Sequence, residues 1–145
     1  MRIALYQPDI APNTGAIFRL AAVLGVEVDL IEPAGFVITD RRLKRVGLDY
    51  LSELDMTRHI SWQSYLAEHN SGKTNPSRIL LLTTSGSDRY IDFNYCADDT
   101  LLLGRETAGV PKEVHDAVDA RLRIPMQFGQ RSLNVVVATA IVLGE

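Results

Sequence analysis

Apolar residues in this chain gather in short unbroken runs, with stretches of helical spacing between them. The runs are Arg2–Tyr6, Val26–Ile31, Arg78–Thr84, Thr100–Leu103 and Arg121–Ile124. Unbroken rather than alternating apolar character predicts strands covered on both faces. Arg58–Ile60 reads as a further brief extended piece. Ile17, Leu20, Ala21 and Leu24 recur at helical spacing, with Asn13 as the expected cap and Gly25 as the stop. Ser61 is expected to cap a helix carrying Trp62, Tyr65 and Leu66. Pro111 suits the first turn of a helix through Val114, Ala117 and Val118. Thr39 or Asp40 is positioned to cap a short helix over Arg41–Val46.

The segment after Ser132 sets two signals against each other. Val135, Val136, Val137, Thr139, Ile141 and Val142 favour a strand by propensity. Ala138, Ala140 and the length argue for a buried helix, capped by Ser132 or Asn134.

Strands alternating with helices predict an α/β fold, with a mainly parallel sheet and helices on both faces. Ligands of such sheets sit at the carboxyl ends of the strands. Three stretches carry the polar loops expected there: Asn13–Arg19, Leu101–Pro111, and Leu122–Leu143, which crosses Gly129 and Arg131. Their backbone N–H groups suit a small, polar, nucleotide-like ligand. A Rossmann dinucleotide site is disfavoured, because no Gly-x-Gly-x-x-Gly follows the first run. Ser71-Gly-Lys-Thr74 imitates the tail of a phosphate-binding loop. Ala67 stands where that motif needs glycine, however, a helix precedes it, and Pro76 follows.

Composition changes this picture in a few places. A length of 145 residues suits one domain with a real core. A net charge of −3 excludes a globally basic nucleic-acid binder. Arg41, Arg42, Lys44 and Arg45 nevertheless form a local cluster, read either as a solvated helix face or as a patch for RNA phosphates. Cys96 is the only cysteine, so no internal disulfide forms, and it is read as a packing residue rather than a nucleophile. His59, His69 and His115 lie far apart without a cysteine partner, so no metal site is expected. The first residues lack the apolar core of a signal peptide, and the longest apolar run, Val135–Leu143, is too short to span a bilayer. A cytoplasmic protein without membrane contact is expected.

Asn13-Thr-Gly-Ala-Ile-Phe-Arg19, Leu103-Gly-Arg-Glu-Thr-Ala-Gly-Val-Pro111, and Ile124-Pro-Met with Arg131-Ser-Leu-Asn134 resemble, in order and spacing, the three motifs of the SPOUT RNA methyltransferases. Glu32-Pro33 and Gly47-Leu-Asp-Tyr50 further resemble the subfamily that methylates the ribose 2′-oxygen of the tRNA wobble nucleotide. The resemblance covers essentially the whole chain. It implies one SPOUT domain over residues 1–145, whose C-terminal part is threaded into a trefoil knot, an exception to the rule that chains are unknotted. It also decides for a helix after Ser132, one expected to be cut short at Glu145.

The resemblance further implies S-adenosyl-L-methionine as cofactor and a homodimer packed through the first and last helices. The partner would be the anticodon stem-loop of certain leucine tRNAs, methylated at cytidine or a modified uridine at position 34. Adenine and ribose would lie among Leu82, Thr83, Gly104, Ile124, Met126, Ser132 and Leu133. Glu106 would pair with the sulfonium or orient the acceptor, and Asn134 would cap the last helix and position the ribose. Arg19 is the residue the family nominates for activating the 2′-hydroxyl. A guanidinium titrates above roughly pH 12 and is a poor base at neutrality, so Arg19 is expected to hold a phosphate or to stabilise alkoxide charge. Gly144 and Val136 stand where some relatives carry tyrosine and serine. Two rivals remain at this point. A non-catalytic RNA-binding knot protein would keep the basic helix without needing Glu106. A SPOUT enzyme acting on another RNA site, such as one methylating a base nitrogen of a tRNA guanosine, belongs to a class that usually carries an extra tRNA-binding domain, for which this chain has no room.

Overall fold

The computed structural model describes residues 1–37, 54–71 and 77–145. Seven strands lie within them: β1 Arg2–Tyr6, β2 Glu27–Ile31, β3 Met56–His59, β4 Ile79–Leu82, β5 Asp88–Arg89, β6 Thr100–Leu103 and β7 Ala120–Arg123. They form one parallel sheet in the order β3-β2-β1-β6-β4-β7-β5. Four α-helices are described: α1 Ala11–Leu24, α2 Trp62–Asn70, α3 Lys112–Ala117 and α4 Val135–Leu143.

Parity along each strand sorts the side chains between two cores. Ile3, Leu5, Val28, Leu30, Leu80, Leu101 and Leu103 point to the face covered by Ile17, Phe18 and Ala21 of α1 and Val142 of α4. Ala4, Tyr6, Ile31, Ile79, Leu81 and Leu102 point to the opposite face, against Trp62 and Tyr65 of α2 and Val114 of α3. Both faces are covered, so the central strands read as unbroken apolar runs. Full burial of each such Leu or Ile contributes roughly 1.5–3 kcal/mol.

The α2 face also holds a charged cluster. Arg2 donates to Asp29 through Nε at 3.0 Å and Nη2 at 3.2 Å, and His59 Nε2 lies 2.8 Å from Asp29 Oδ1. Glu68 Oε2 is 3.3 Å from His59 Nδ1.

Within the described residues the predicted elements are present with shifted ends. Ser61 caps α2 by accepting the Ser64 N–H at 3.1 Å, and Asn134, not Ser132, caps α4. The terminal segment is helical: the cap meets the N–H groups of Val136 and Val137, and Val142 closes onto the α1 face of the core. Helix α1 starts earlier than expected, with Ile10 at its N-cap and Pro12 in the first turn, where a missing N–H costs nothing. Asn13 is therefore not the cap, and its side chain bonds elsewhere. Pro111 precedes α3 as its N-cap instead of standing inside it, and Val118 follows the helix as its C-cap. Strand β5 was not anticipated, since two polar residues give no apolar run. Cys96 is exposed rather than packed, held in a turn by its N–H to Asp99 Oδ2 at 2.7 Å. The basic helix over 41–46 and the stretch 47–50 fall outside the described residues, as do 72–74 of the rejected phosphate-loop sequence. No described helix is long and apolar enough to cross a membrane.

Candidate active site

Strands β6, β4 and β7 lie side by side and end at the same edge of the sheet. The loops leaving them enclose a cavity of about 450 Å³. Leu82 and Thr83 border it from the end of β4, Gly104 and Glu106 from the loop after β6, and Ile124 and Met126 from the loop after β7. Ser132, Leu133 and Asn134 close it at the start of α4. All seven residues nominated for the cofactor thus line one cavity, together with Glu106 and Asn134. Its volume is within the range of small-molecule sites.

The loop after β6 is tightly folded. Arg105 donates its N–H to the Gly109 carbonyl at 3.1 Å, and Gly109 returns one to Arg105 at 2.8 Å. A Cβ on Gly104 would lie 2.9 Å from the Gly109 carbonyl carbon, so only glycine allows the strand to turn this sharply. The turn presents Glu106 to the end of β1. There its Oε2 accepts the Asp9 N–H at 3.2 Å, and its Oε1 accepts from Asn13 Nδ2 at 3.3 Å. Asp9 in turn accepts the Glu106 N–H at 3.1 Å and the Thr107 hydroxyl. Asn134 Nδ2 donates to Asn13 Oδ1 at 3.1 Å, while Asn134 Oδ1 accepts the Val136 N–H at 2.9 Å. A continuous polar chain thus runs from Asp9 through Glu106 and Asn13 to the N-terminus of α4, tying the three motif loops together.

Burial, and next the neighbouring Asp9 carboxylate, push the Glu106 carboxyl above its ordinary range. Asp9, bonded to Glu106 and Thr107, is held down at about 2. The two carboxyls are thus pushed in opposite directions, and as pH falls Glu106 takes a proton before Asp9.

Arg19 is exposed on α1 and does not line the cavity of its own chain. Asp9 and Asn13 were missed as site residues. Asn13 stands inside a motif, but Asp9 carries no pattern of its own and is found only once β1 and β6 are known to be neighbours. Arg105 lies at the wall, with a buried Nε that lacks a hydrogen-bond partner among the described residues.

Apolar walls from Leu82, Ile124, Met126, Leu133 and Val135, with a polar edge of Thr83, Asn13 and Asn134, fit a nucleoside joined to an aliphatic arm. A carboxylate at that edge suits a cation on the arm. No group of metal-ligating side chains is gathered among the described residues.

Residues 1–144 match the SpoU rRNA Methylase family. A tRNA (cytidine(34)-2'-O)-methyltransferase of Beijerinckia indica is 50% identical over 144 residues, covering 99% of this chain and 88% of that protein. A solved structure concerned with 2-OH methylation of C/U34 on tRNA superposes with a TM-score of 0.89 at 35% identity, covering 99% of this chain and 91% of that one. The SpoU methyltransferase AviRb of Streptomyces viridochromogenes, solved with the cofactor AdoMet, superposes with a TM-score of 0.87 at 26% identity, covering 99% of this chain and 55% of that one. These neighbours have the knotted α/β fold expected from the sequence. The motifs, the sheet order and the full-length matches agree: this chain belongs to the SpoU methylase family of SPOUT methyltransferases.

Proposed function

We propose that the protein transfers the methyl group of S-adenosyl-L-methionine to the ribose 2′-oxygen of nucleotide 34 of tRNA, a cytidine or modified uridine, with leucine tRNAs as acceptors. The observation that carries this reading is the single cavity lined by Leu82, Thr83, Gly104, Ile124, Met126, Ser132 and Leu133, with Glu106 and Asn134 at its edge. When bound, the cofactor supplies an electrophilic methyl group on a positively charged sulfur. The chain's own work is alignment. The loops after β6 and β7 hold adenine and ribose, and Asn134, fixed by Asn13 and by the helix it caps, orients the reacting end. Glu106 balances positive charge at the edge. The acceptor 2′-hydroxyl, held in line with that methyl group by these loops, would give up its proton to solvent as it is methylated.

The active unit in this reading is a homodimer of a single-domain chain, working in the cytoplasm. Val23 and Leu24 of α1 and Val137 of α4 are 65%, 52% and 49% exposed, an apolar surface suited to packing through these helices. Arg19 shares α1, so a dimer built there carries it toward the partner's cavity, where it would hold a phosphate or the developing alkoxide. Arg41, Arg42, Lys44 and Arg45 would contact phosphates of the anticodon stem-loop.

The test is transfer of labelled methyl from the cofactor to bulk tRNA, followed by mass identification of the nucleosides and by comparison of leucine tRNAs with others. A 2′-O-methylpyrimidine at position 34 is expected. Cofactor binding without any transfer would overturn the reading in favour of a non-catalytic RNA-binding protein.

A further inference from the structure

Phe128 has no part in the cavity, yet its side chain is fully exposed, at 105% of the reference area. It does not hang loosely. The Gln130 N–H donates to the Gln127 carbonyl at 3.1 Å, and Gly129 has φ of 86°. A closed four-residue turn with positive φ at its third residue is type II, a position glycine fills without strain. The turn fixes Phe128 at the tip, away from the apolar wall. Both limbs of this loop reach the cavity, at Met126 and at Arg131. From Ala120 to Gly144 there is no acidic residue, while Arg121, Arg123 and Arg131 add three positive charges to a chain of net charge −3. Arg121 is tied to the His115 carbonyl at 2.9 Å, whereas Arg123 and Arg131 are exposed.

We infer that Phe128 stacks on an unpaired base of the bound RNA, beside the nucleotide whose ribose enters the cavity, and that Arg131 holds the adjoining phosphate. A lone aromatic ring between polar Gln127 and Gln130 matches the face of one base, and not the continuous apolar area of a contact between protein chains. A segment with no acidic residue of its own and with Arg123 and Arg131 exposed suits a phosphate-bearing partner. The inference rests on the proposed RNA substrate.

The test compares wild type, Phe128→Ala and Phe128→Trp by fluorescence anisotropy on a labelled anticodon stem-loop, with cofactor affinity and sedimentation measured alongside. Losing one aromatic–base stack should weaken RNA binding about five-fold to a hundred-fold in the alanine variant. Tryptophan should restore binding, and cofactor affinity and oligomeric state should be unchanged. Equal RNA affinity in all three proteins would overturn the stack. So would a changed sedimentation coefficient with RNA affinity retained, which would assign Phe128 to a second copy of the chain. Binding is read without catalysis, so RNA affinity lost in the alanine variant while wild type fails to methylate would uphold the stack and sink the proposed reaction.

Discussion

Asp9 and Glu106, 97 residues apart, hold each other by reciprocal bonds, each backbone N–H donating to the other's carboxylate at 3.2 and 3.1 Å. They meet because β1 and β6 are adjacent parallel strands with Leu5 opposite Leu103, so both chains leave the sheet side by side. The arrangement draws two carboxylates together at the edge of the cavity, and they titrate as a pair.

The pair should give methyl transfer an acid limb. Burial and then Asp9 raise the Glu106 pKa, so methyl transfer should fall as pH drops through a value above that of an ordinary glutamate. Asp9→Asn removes the second cause and should shift the limb to lower pH, while Glu106→Gln should remove it. A kcat/KM profile against pH checks this, and a limb unmoved in Asp9→Asn would show the two groups to be uncoupled. The stability signs are opposite. Glu106, raised in the folded state, favours folding below its ordinary pKa and loses that contribution as pH rises through the raised one. Asp9 favours folding above its ordinary pKa and loses that contribution only as pH falls toward about 2.

Asn134 combines two jobs that substitution can separate. Asp at this position keeps an acceptor for the Val136 and Val137 N–H groups but has no donor for Asn13 Oδ1. Asn134→Ala should cost about 1 kcal/mol of stability through the lost cap, and Asn134→Asp only a few tenths. Urea unfolding measures that difference. Both variants should bind cofactor more weakly than wild type, because both cut the bridge between the first and third motif loops. Full affinity in Asn134→Asp would reduce Asn134 to a helix cap.

Arg19→Ala should leave stability within about 0.5 kcal/mol of wild type, since the side chain is exposed. It should also leave cofactor affinity unchanged and lower methyl transfer about a hundred-fold or more, the scale of losing a donor to developing negative charge. Calorimetric cofactor binding set beside single-turnover transfer distinguishes the two effects. Loss of cofactor binding would remove the role assigned to Arg19.

What the sequence made legible follows from what each feature depends on. The unbroken runs of β1, β4 and β6 announced a sheet covered on both faces, because burial leaves no polar positions to interrupt them. The cavity walls were legible only through the resemblance of the motifs, whose residues converge here because β4, β6 and β7 end together. Asp9 was not legible, since its partner Glu106 follows a strand that is adjacent in space but distant in sequence. Asn13 was misread as a cap because local chemistry favours that use, whereas Pro12 already opens the helix and the Asn13 side chain serves Glu106 instead. Cys96 was read as a packing residue because no His or basic partner stands beside it in the sequence, but it lies in an exposed turn anchored by the buried Asp99.

The cluster around Asp29 tests stability apart from chemistry. Asp29 is 5% exposed and His59 3%, and both face α2 rather than the cavity. Asp29→Ala would leave the Arg2 guanidinium and the buried His59 ring without their shared acceptor. Breaking a buried ionic contact from one side costs about 3–5 kcal/mol. The lower end is expected here, because the Arg2 side chain is 32% exposed and water can replace part of what is lost. Asp29→Asn keeps an oxygen for one donor and should cost less. Urea midpoints should follow the order wild type, Asn, Ala, while cofactor affinity stays constant under conditions where all three proteins are folded. A fall in cofactor affinity in the folded alanine variant would mean that strain at β2 crosses β1 to the β6 loop, and the two faces of the sheet would then have to be treated as one coupled site.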